Sequence, residues 1–205
     1  MHTLTTRASA NLNAAPVVIS ESFALLLGLS LGFALLRRRS RLMAAESCTG
    51  GLVSHWVTAI GGSSQWFDGG VVSYANAAKQ QLLGVETQTL QTHGAVSQAV
   101  AAQMAAGLQQ RHSGFFAAGQ NQPGLCSVAI TGVAGPQGGQ PGKPVGTVWF
   151  GWAGPSAAAT ATTANTIPAE TQCRRFAGDR AQIQRQAAAW AIAGLVARLS
   201  RPAAI

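Results

Sequence analysis

Hydrophobic residues fall in short runs along the chain, separated by junctions rich in glycine, serine, glutamine and proline. Continuous short apolar runs are typical of buried strands, whereas longer alanine-rich stretches with helical spacing predict helices. A serine before residue 98 is a helix-start signal. The pattern predicts strands at 41–46, 69–74, 126–131, 145–152, 157–167 and 171–176, and helices at 22–36, 52–59, 76–83, 97–111 and 179–200.

Strands that alternate with helices predict an α/β fold, with helices on both faces of one sheet. The last strands follow one another without a helix between them, so part of the sheet is expected to be antiparallel. We predict a flexible tail at 1–18 and a single domain at 19–201, with a 112–124 surface loop.

The first helix carries an uncharged stretch, residues 22–36, that is followed by the basic run RRRSR. A membrane-spanning helix needs about 20 apolar residues, so this stretch is too short. Leu25, Leu29, Phe33 and Leu36 recur at helical spacing, which predicts a buried helix with a basic C-terminal end. Contact of this helix with a partner or a membrane stays open.

Composition excludes several classes of protein. The chain is 47% hydrophobic and 10% charged, with a mean hydropathy of +0.19, which excludes a largely disordered chain. A net charge of +8 permits an anionic partner, either a nucleic acid or a small molecule. Three cysteines without a C-x-x-C pair favour a reducing compartment, the cytoplasm, and give no zinc motif.

Three loops rich in small residues lie at the ends of predicted strands and helices: Glu46–Gly51, Gly61–Ser64 and Thr131–Gly139. Such loops bind anions through free backbone N–H groups, although ordinary tight turns and helix caps have the same composition. Lys79 stands out because the chain otherwise uses arginine up to residue 142. A desolvated lysine can lose its proton and act as a general base, whereas an arginine cannot.

Six segments in this order resemble one family, the C-terminal domain of the competence/damage-inducible CinA proteins. The resemblance covers about residues 20–200 and is closest to the family's stand-alone form, whose active members are nicotinamide mononucleotide deamidases. The segments are AESCTGG (45–51), GSSQWFDGGVVSYANAAK (62–79), GAVS (94–97), ITGVAGPQGG (130–139), KPVGTVWFG (143–151) and FAGDR (176–180).

The resemblance implies a three-layer α/β/α sandwich and a metal-free, cofactor-free serine/lysine mechanism on nicotinamide mononucleotide. It assigns Ser64 as the nucleophile, with oxyanion donors in its own turn, and Lys79 as the base. Tyr74 would hydrogen-bond within this dyad, Thr131 would lie beside it, and Arg180 would bind the phosphate. Further substrate contacts are expected from Thr49, Gly50, Gly51, Gly132 and Gly135. A homo-oligomer is also expected, with no nucleic-acid or membrane partner.

Two alternatives remain at this point. One is a non-catalytic module that binds nucleotides or nucleic acid through the arginine clusters at 37–41 and 174–185. The other is a hydrolase that uses Ser64, His93 and Asp68 as a triad, which no motif supports. Cys48 lies in a candidate loop, but we interpret it as a packing residue because no cationic neighbour in the sequence would lower its pKa.

Overall fold

A computed structural model describes residues 16–112, 124–156 and 169–201. The predicted tail at 1–18 falls mostly outside the described residues. Residues 113–123 of the predicted 112–124 loop, and the strand predicted at 157–167, also lie outside them.

Six helices and five strands make up the described residues, together with one short 3-10 helix at Ser63–Gln65. Every strand and helix predicted within those residues is present, with shifted ends. Helix α4 was not predicted, because TQTLQTH has no apolar period. In chain order the elements are α1 (Glu21–Arg37), β1 (Ser40–Glu46), α2 (Leu52–Thr58), β2 (Phe67–Val72), α3 (Asn76–Leu83), α4 (Thr87–His93), α5 (Gln98–His112), β3 (Gly124–Gly132), β4 (Thr147–Ser156), β5 (Glu170–Arg175) and α6 (Arg180–Leu199).

The five strands form one mixed sheet in the order β2-β1-β3-β4-β5. Strands β1, β2 and β3 are parallel, while β4 is antiparallel to both β3 and β5. The carboxyl ends of β1, β2 and β3 therefore lie at one edge of the sheet, which we call the carboxyl edge. The opposite edge, where these strands begin, is the amino edge.

Helices cover both faces of the sheet, so the fold is the expected three-layer α/β/α sandwich. Helices α1, α2 and α6 share one hydrophobic core with the first face, and α5 builds a second core with α3 on the other. Helix α3 lies close against α5 because position 107 is glycine. A Cβ there would stand 1.7 Å from the carbonyl oxygen of Leu83, the last residue of α3.

The prediction that Leu25, Leu29, Phe33 and Leu36 are buried is wrong. All four side chains are exposed on α1, and the helix packs against the domain through a different face. The apolar stretch is hydrophobic all round, so spacing alone did not show which side faces the core. The buried face consists of Ala24, Gly28, Leu31, Gly32 and Leu35. Among the described residues, no helix combines the length and apolar character that a membrane crossing requires.

Candidate active site

Lys79 is buried at the carboxyl edge, on the first turns of α3, with only 1% of its surface exposed. Its amine lies 3.0 Å from the hydroxyl oxygen of Ser47. It also donates to two backbone carbonyls, those of Ser73 at 2.8 Å and Tyr74 at 3.1 Å. Ser47 directly follows β1, and Ser73 directly follows β2, so the parallel pairing of these strands brings the three residues together.

Burial lowers the pKa of Lys79, because the ammonium form loses its hydration. A thiolate at Cys48 would oppose this shift, but burial raises the pKa of Cys48 to about 12. The thiol is therefore uncharged at neutral pH and gives the lysine no counter-ion. Cys48 packs in the core, in agreement with its interpretation as a packing residue.

The loop that carries Ser47 is held by the buried carboxylate of Glu46. One carboxylate oxygen accepts hydrogen bonds from Thr49 Oγ1 and from the backbone N–H groups of Gly51 and Val53. The other accepts from the backbone N–H and the hydroxyl of Ser54. Five donors on one carboxylate fix both the turn after β1 and the start of α2.

Backbone contacts fix the same loop from two further sides. The N–H of Ser47 donates to the carbonyl of Ile130 on β3 at 3.0 Å. The carbonyl of Cys48 accepts from the side-chain amide of Gln184 on α6 at 2.8 Å. The serine hydroxyl thus lies on a loop with little freedom to move away from the lysine.

The predicted contact between Ser64 and Lys79 is wrong. Ser64 lies in the 3-10 helix that precedes β2, at the amino edge, and its carbonyl accepts a hydrogen bond from Arg41 at the start of β1. Strand β2 separates the two ends of the sheet by roughly 20 Å, at about 3.3 Å per residue. Ser47, not Ser64, is the hydroxyl beside the amine, and the turn at 61–64 is too far away to supply oxyanion donors.

The triad alternative fails because its members lie at opposite edges of the sheet. The carboxylate of Asp68 forms an ion pair with Arg41 at the amino edge, where Ser64 also lies. His93 ends α4 two residues before Ala95, which lines the cavity at the carboxyl edge.

Besides Lys79, five predicted site residues lie around a cavity of about 250 Å³ that opens over the Ser47–Lys79 pair: Tyr74, Thr131, Gly132, Gly135 and Arg180. Thr131, the penultimate residue of β3, donates its hydroxyl hydrogen to the carbonyl of Ala95 at 2.8 Å. Arg180, the first residue of α6, donates to the carbonyl of Gly135 at 2.8 Å. The described lining residues are Ser47, Cys48, Tyr74, Lys79, Ala95, Val96, Thr131, Gly132, Val133, Ala134, Gly135, Gln137, Gly138 and Arg180.

Tyr74 lies at the cavity rim, but its contacts there differ from the predicted ones. Its hydroxyl lies 3.0 Å from the Arg180 guanidinium, and it is the backbone carbonyl of Tyr74 that contacts Lys79. The side chain is 61% exposed. Tyr74 therefore orients Arg180 through its hydroxyl and the lysine through its main chain.

Thr49, Gly50 and Gly51 lie outside the described cavity lining. Thr49 and Gly51 bind the Glu46 carboxylate instead, so these residues shape the loop rather than face the cavity. The described residues contain no group of three or more histidine, cysteine, aspartate or glutamate side chains that could hold a metal ion.

Fold and site together define a class of protein, an α/β/α sandwich with a serine and a buried lysine paired in a cavity at the carboxyl edge. The profile of the CinA C-terminal domain matches residues 27–199. The chain belongs to this family.

Individual relatives agree with this assignment. The nicotinamide-nucleotide amidohydrolase PncC of Enterobacter agglomerans is 50% identical over 82 residues, 40% of this chain and 50% of the relative. A CinA-like protein of Salinibacter ruber is 50% identical over 80 residues, which are 39% of this chain but 19% of the relative. The matched parts thus span about a fifth to a half of these relatives.

A solved structure covers far more of the chain. The crystal structure of a CinA superfamily protein from Klebsiella pneumoniae 700603 is 34% identical, with a TM-score of 0.73. It covers 86% of this chain and 98% of its own. The sandwich architecture is therefore shared with an experimental structure in the same family.

Proposed function

We propose that this protein hydrolyses the carboxamide of nicotinamide mononucleotide to nicotinate mononucleotide and ammonia, a salvage reaction of pyridine nucleotides. The observation that carries the proposal is the buried Lys79 amine, 3.0 Å from the Ser47 hydroxyl in an open cavity. The substrate is suggested by the PncC relatives, which are nicotinamide-nucleotide amidohydrolases by name. Ser47 replaces Ser64 as the nucleophile.

Burial favours the neutral form of the amine by lowering the pKa of Lys79, and the contacts can accommodate that form. The carbonyls of Ser73 and Tyr74 can only accept, so a neutral amine can donate its two hydrogens to them. Its lone pair is then left for the hydroxyl of Ser47, 3.0 Å away, which can turn to donate. Lys79 therefore takes the proton from Ser47 as the oxygen attacks the amide carbon.

The reaction then proceeds in two steps, acylation of Ser47 and hydrolysis of the acyl-enzyme. The Ser47 oxygen bonds to the carboxamide carbon, protonated Lys79 gives its proton to the departing nitrogen, and ammonia leaves an acyl-enzyme ester. Water next loses a proton to Lys79, attacks the ester and returns Ser47 as the alcohol with a carboxylic acid product. The backbone N–H of Cys48, next to the nucleophile, is our candidate oxyanion donor, and one such donor is worth about 3 kcal/mol.

Thr131 and Arg180 are proposed to bind the substrate. The hydroxyl hydrogen of Thr131 is used on Ala95, so its oxygen can only accept, which suits the N–H₂ of a carboxamide. Arg180 offers a guanidinium at the cavity rim and at the N-terminus of α6, which suits the 5′-phosphate. Gly132 and Gly135 line the same wall and are proposed to approach the ligand through their backbone.

The nucleic-acid alternative gains no support from the arginines. Several members of the two clusters are used inside the molecule: Arg41 pairs with Asp68, Arg174 lies 4.2 Å above the Trp190 ring, and Arg185 pairs with Glu21. A groove that tracks a phosphate backbone needs accessible cations along its length.

We also propose a cytoplasmic location, supported by three cysteines that are all free thiols.

Ammonia release and product mass test the proposal. We expect nicotinamide mononucleotide to gain one mass unit and release one equivalent of ammonia, with no change on adding a chelator. We expect nicotinamide riboside to be a poor substrate, and Arg180→Gln to raise KM for the mononucleotide while it leaves the riboside rate unchanged. Absence of ammonia from the mononucleotide with folded wild-type protein would contradict the function. An equal effect of Arg180→Gln on both substrates would contradict the phosphate assignment alone.

A further inference from the structure

The cavity at the carboxyl edge is lined by basic and neutral groups. Its described lining residues include no aspartate and no glutamate, and the basic side chains among them are those of Lys79 and Arg180. We propose that the site selects the pyridinium form of the nucleotide over the reduced, uncharged dihydropyridine form, because the positive ring favours the neutral Lys79 amine that acts as the base. The inference rests on the proposed function and adds the redox state of the ring to the definition of the substrate.

The groups in contact with the Lys79 amine provide no counter-ion for an ammonium. The hydroxyl of Ser47 and the carbonyls of Ser73 and Tyr74 are uncharged. Cys48, on the loop after β1, is an uncharged thiol because burial raises its pKa to about 12. A positive charge next to this amine is therefore opposed by its surroundings, whether it sits on the lysine or on a bound ligand.

The charged side chains of the surrounding elements are directed elsewhere. Glu46, which ends β1, accepts five hydrogen bonds from the following turn and the start of α2. Glu86, just before α4, is exposed and accepts from side chains at the surface. Arg111 on α5 donates to the carbonyl of Gln81, near the far end of α3. The protonation of Lys79 thus responds to the charges that a substrate brings into the cavity.

The attack by Ser47 determines how close the ring charge comes to the amine. The serine oxygen must approach the carboxamide carbon to about 3 Å, and the amine is 3.0 Å from that oxygen. The ring nitrogen is two bonds from the carbon that bears the carboxamide, so it lies within roughly 8 Å of the amine. Repulsion over this distance should raise the ratio of neutral amine to ammonium at least about tenfold.

The charges of the site and the oxidised nucleotide complement each other when Lys79 is neutral. Arg180 is held at the rim by the Tyr74 hydroxyl and the Gly135 carbonyl, while Asp179 caps α6 beside it. The guanidinium then faces the phosphate, and the uncharged amine faces the pyridinium. The reduced nucleotide brings the phosphate alone, which favours an ammonium at Lys79. It therefore binds with Lys79 in the form that cannot accept a proton.

Proton exchange on binding tests the inference without turnover. Isothermal titration calorimetry of Ser47→Ala, in buffers of different ionisation enthalpy, measures the protons released by nicotinamide mononucleotide and by its 1,4-dihydro form. Over the pH range in which the protein stays folded, the oxidised nucleotide should release up to one proton more per site. Its affinity should rise at least about tenfold with pH through the pKa of Lys79, whereas that of the dihydro form should not.

Ser47→Ala/Lys79→Met is the matched control, since it keeps Arg180 but has no amine. Protons that the phosphate releases at Arg180 appear with both nucleotides and persist in this control. The difference between the two nucleotides should disappear with the lysine. Equal proton release by both nucleotides in Ser47→Ala, or a difference that persists in folded Ser47→Ala/Lys79→Met, overturns the proposal.

Wild-type kinetics give a second measurement that needs no variant. The acid limb of kcat reports the substrate complex, and that of kcat/KM reports the free enzyme. With nicotinamide mononucleotide, the limb of kcat should lie at least about one pH unit below that of kcat/KM. Ammonia release with coincident limbs overturns this inference and leaves the proposed function standing. A folded wild-type protein that releases no ammonia overturns both.

Discussion

Lys79 is held so that its protonation state controls the proposed chemistry. The active form is the neutral amine, so kcat/KM for nicotinamide mononucleotide should fall as the pH drops below the pKa of Lys79. Burial lowers that pKa from its ordinary value of 10.5, which moves the acid limb toward neutral pH. A pH profile of kcat/KM over the range in which the enzyme is stable should therefore rise with a slope of one as Lys79 loses its proton, and level off only above its lowered pKa.

Lys79→Arg is the control for this profile. A guanidinium keeps its proton throughout this range, so the variant should be inactive at every pH. A flat wild-type profile, or an active Lys79→Arg enzyme, would contradict the assignment of Lys79 as the base.

Glu46 acts on the reaction through the loop that it holds. In Glu46→Gln the new NH₂ group faces donors whose hydrogen bonds the carboxylate had accepted. If it takes the place of the oxygen facing Ser54, the bond from the Ser54 backbone N–H is lost and its hydroxyl must turn to accept. We expect a loss of about 2–5 kcal/mol in the free energy of unfolding and a fall in kcat. The acid limb should stay in place, because Glu46 is not the titrating base.

Denaturant unfolding and the pH profile measure these effects. Glu86→Gln is the matched control, since Glu86 is exposed and accepts from Thr89 and Gln103 at the surface. It should change stability by less than about 1 kcal/mol and leave kcat unchanged. A Glu46→Gln enzyme with wild-type kcat and stability would show that the loop does not need the carboxylate.

Helix α3 carries Lys79, and its position depends on its contact with α5. Gly107→Ala would place a methyl group 1.7 Å from the Leu83 carbonyl, and backbone atoms cannot yield without moving the helix. We expect a loss of about 1–3 kcal/mol in stability and a fall in kcat larger than any rise in KM. Calorimetry and steady-state kinetics measure both.

Gly61→Ala is the matched control at this scale. A Cβ there meets nothing within 4 Å, so stability and kcat should stay near wild type. If Gly107→Ala behaves like Gly61→Ala, the packing of α3 on α5 does not position the lysine.

The elements themselves were largely predictable from sequence, because their patterns are local. The Ser97 side chain before α5 accepts from the N–H of Val100, as its predicted role as a helix cap requires. Helix α1 shows where the local pattern fails: its spacing identified a helix but not its buried face. That face packs through Gly28 against Ile60 and through Gly32 against Trp66. A helix that is apolar on every side leaves this choice to tertiary structure.

At the scale of the whole molecule, the two edges of the sheet have different roles: the amino edge carries structural contacts, and the carboxyl edge carries the proposed reacting groups. Ser64, Arg41 and Asp68 lie at the amino edge, while Ser47 and Lys79 lie at the carboxyl edge. The resemblance paired Lys79 with Ser64, but in the structure the hydroxyl beside Lys79 is that of Ser47, and Ser64 lies at the other edge. Open α/β sheets bind ligands beyond the carboxyl ends of parallel strands. Applied to Lys79 after β2, this rule selects Ser47 after β1 over Ser64 before β2.

The most direct test compares ammonia release from nicotinamide mononucleotide by Ser47→Ala and Ser64→Ala, two serine-to-alanine changes about 20 Å apart. The account predicts that Ser47→Ala loses at least about 1,000-fold in kcat while remaining folded, and that Ser64→Ala keeps wild-type activity. An active Ser47→Ala enzyme, or an inactive but folded Ser64→Ala enzyme, would contradict it.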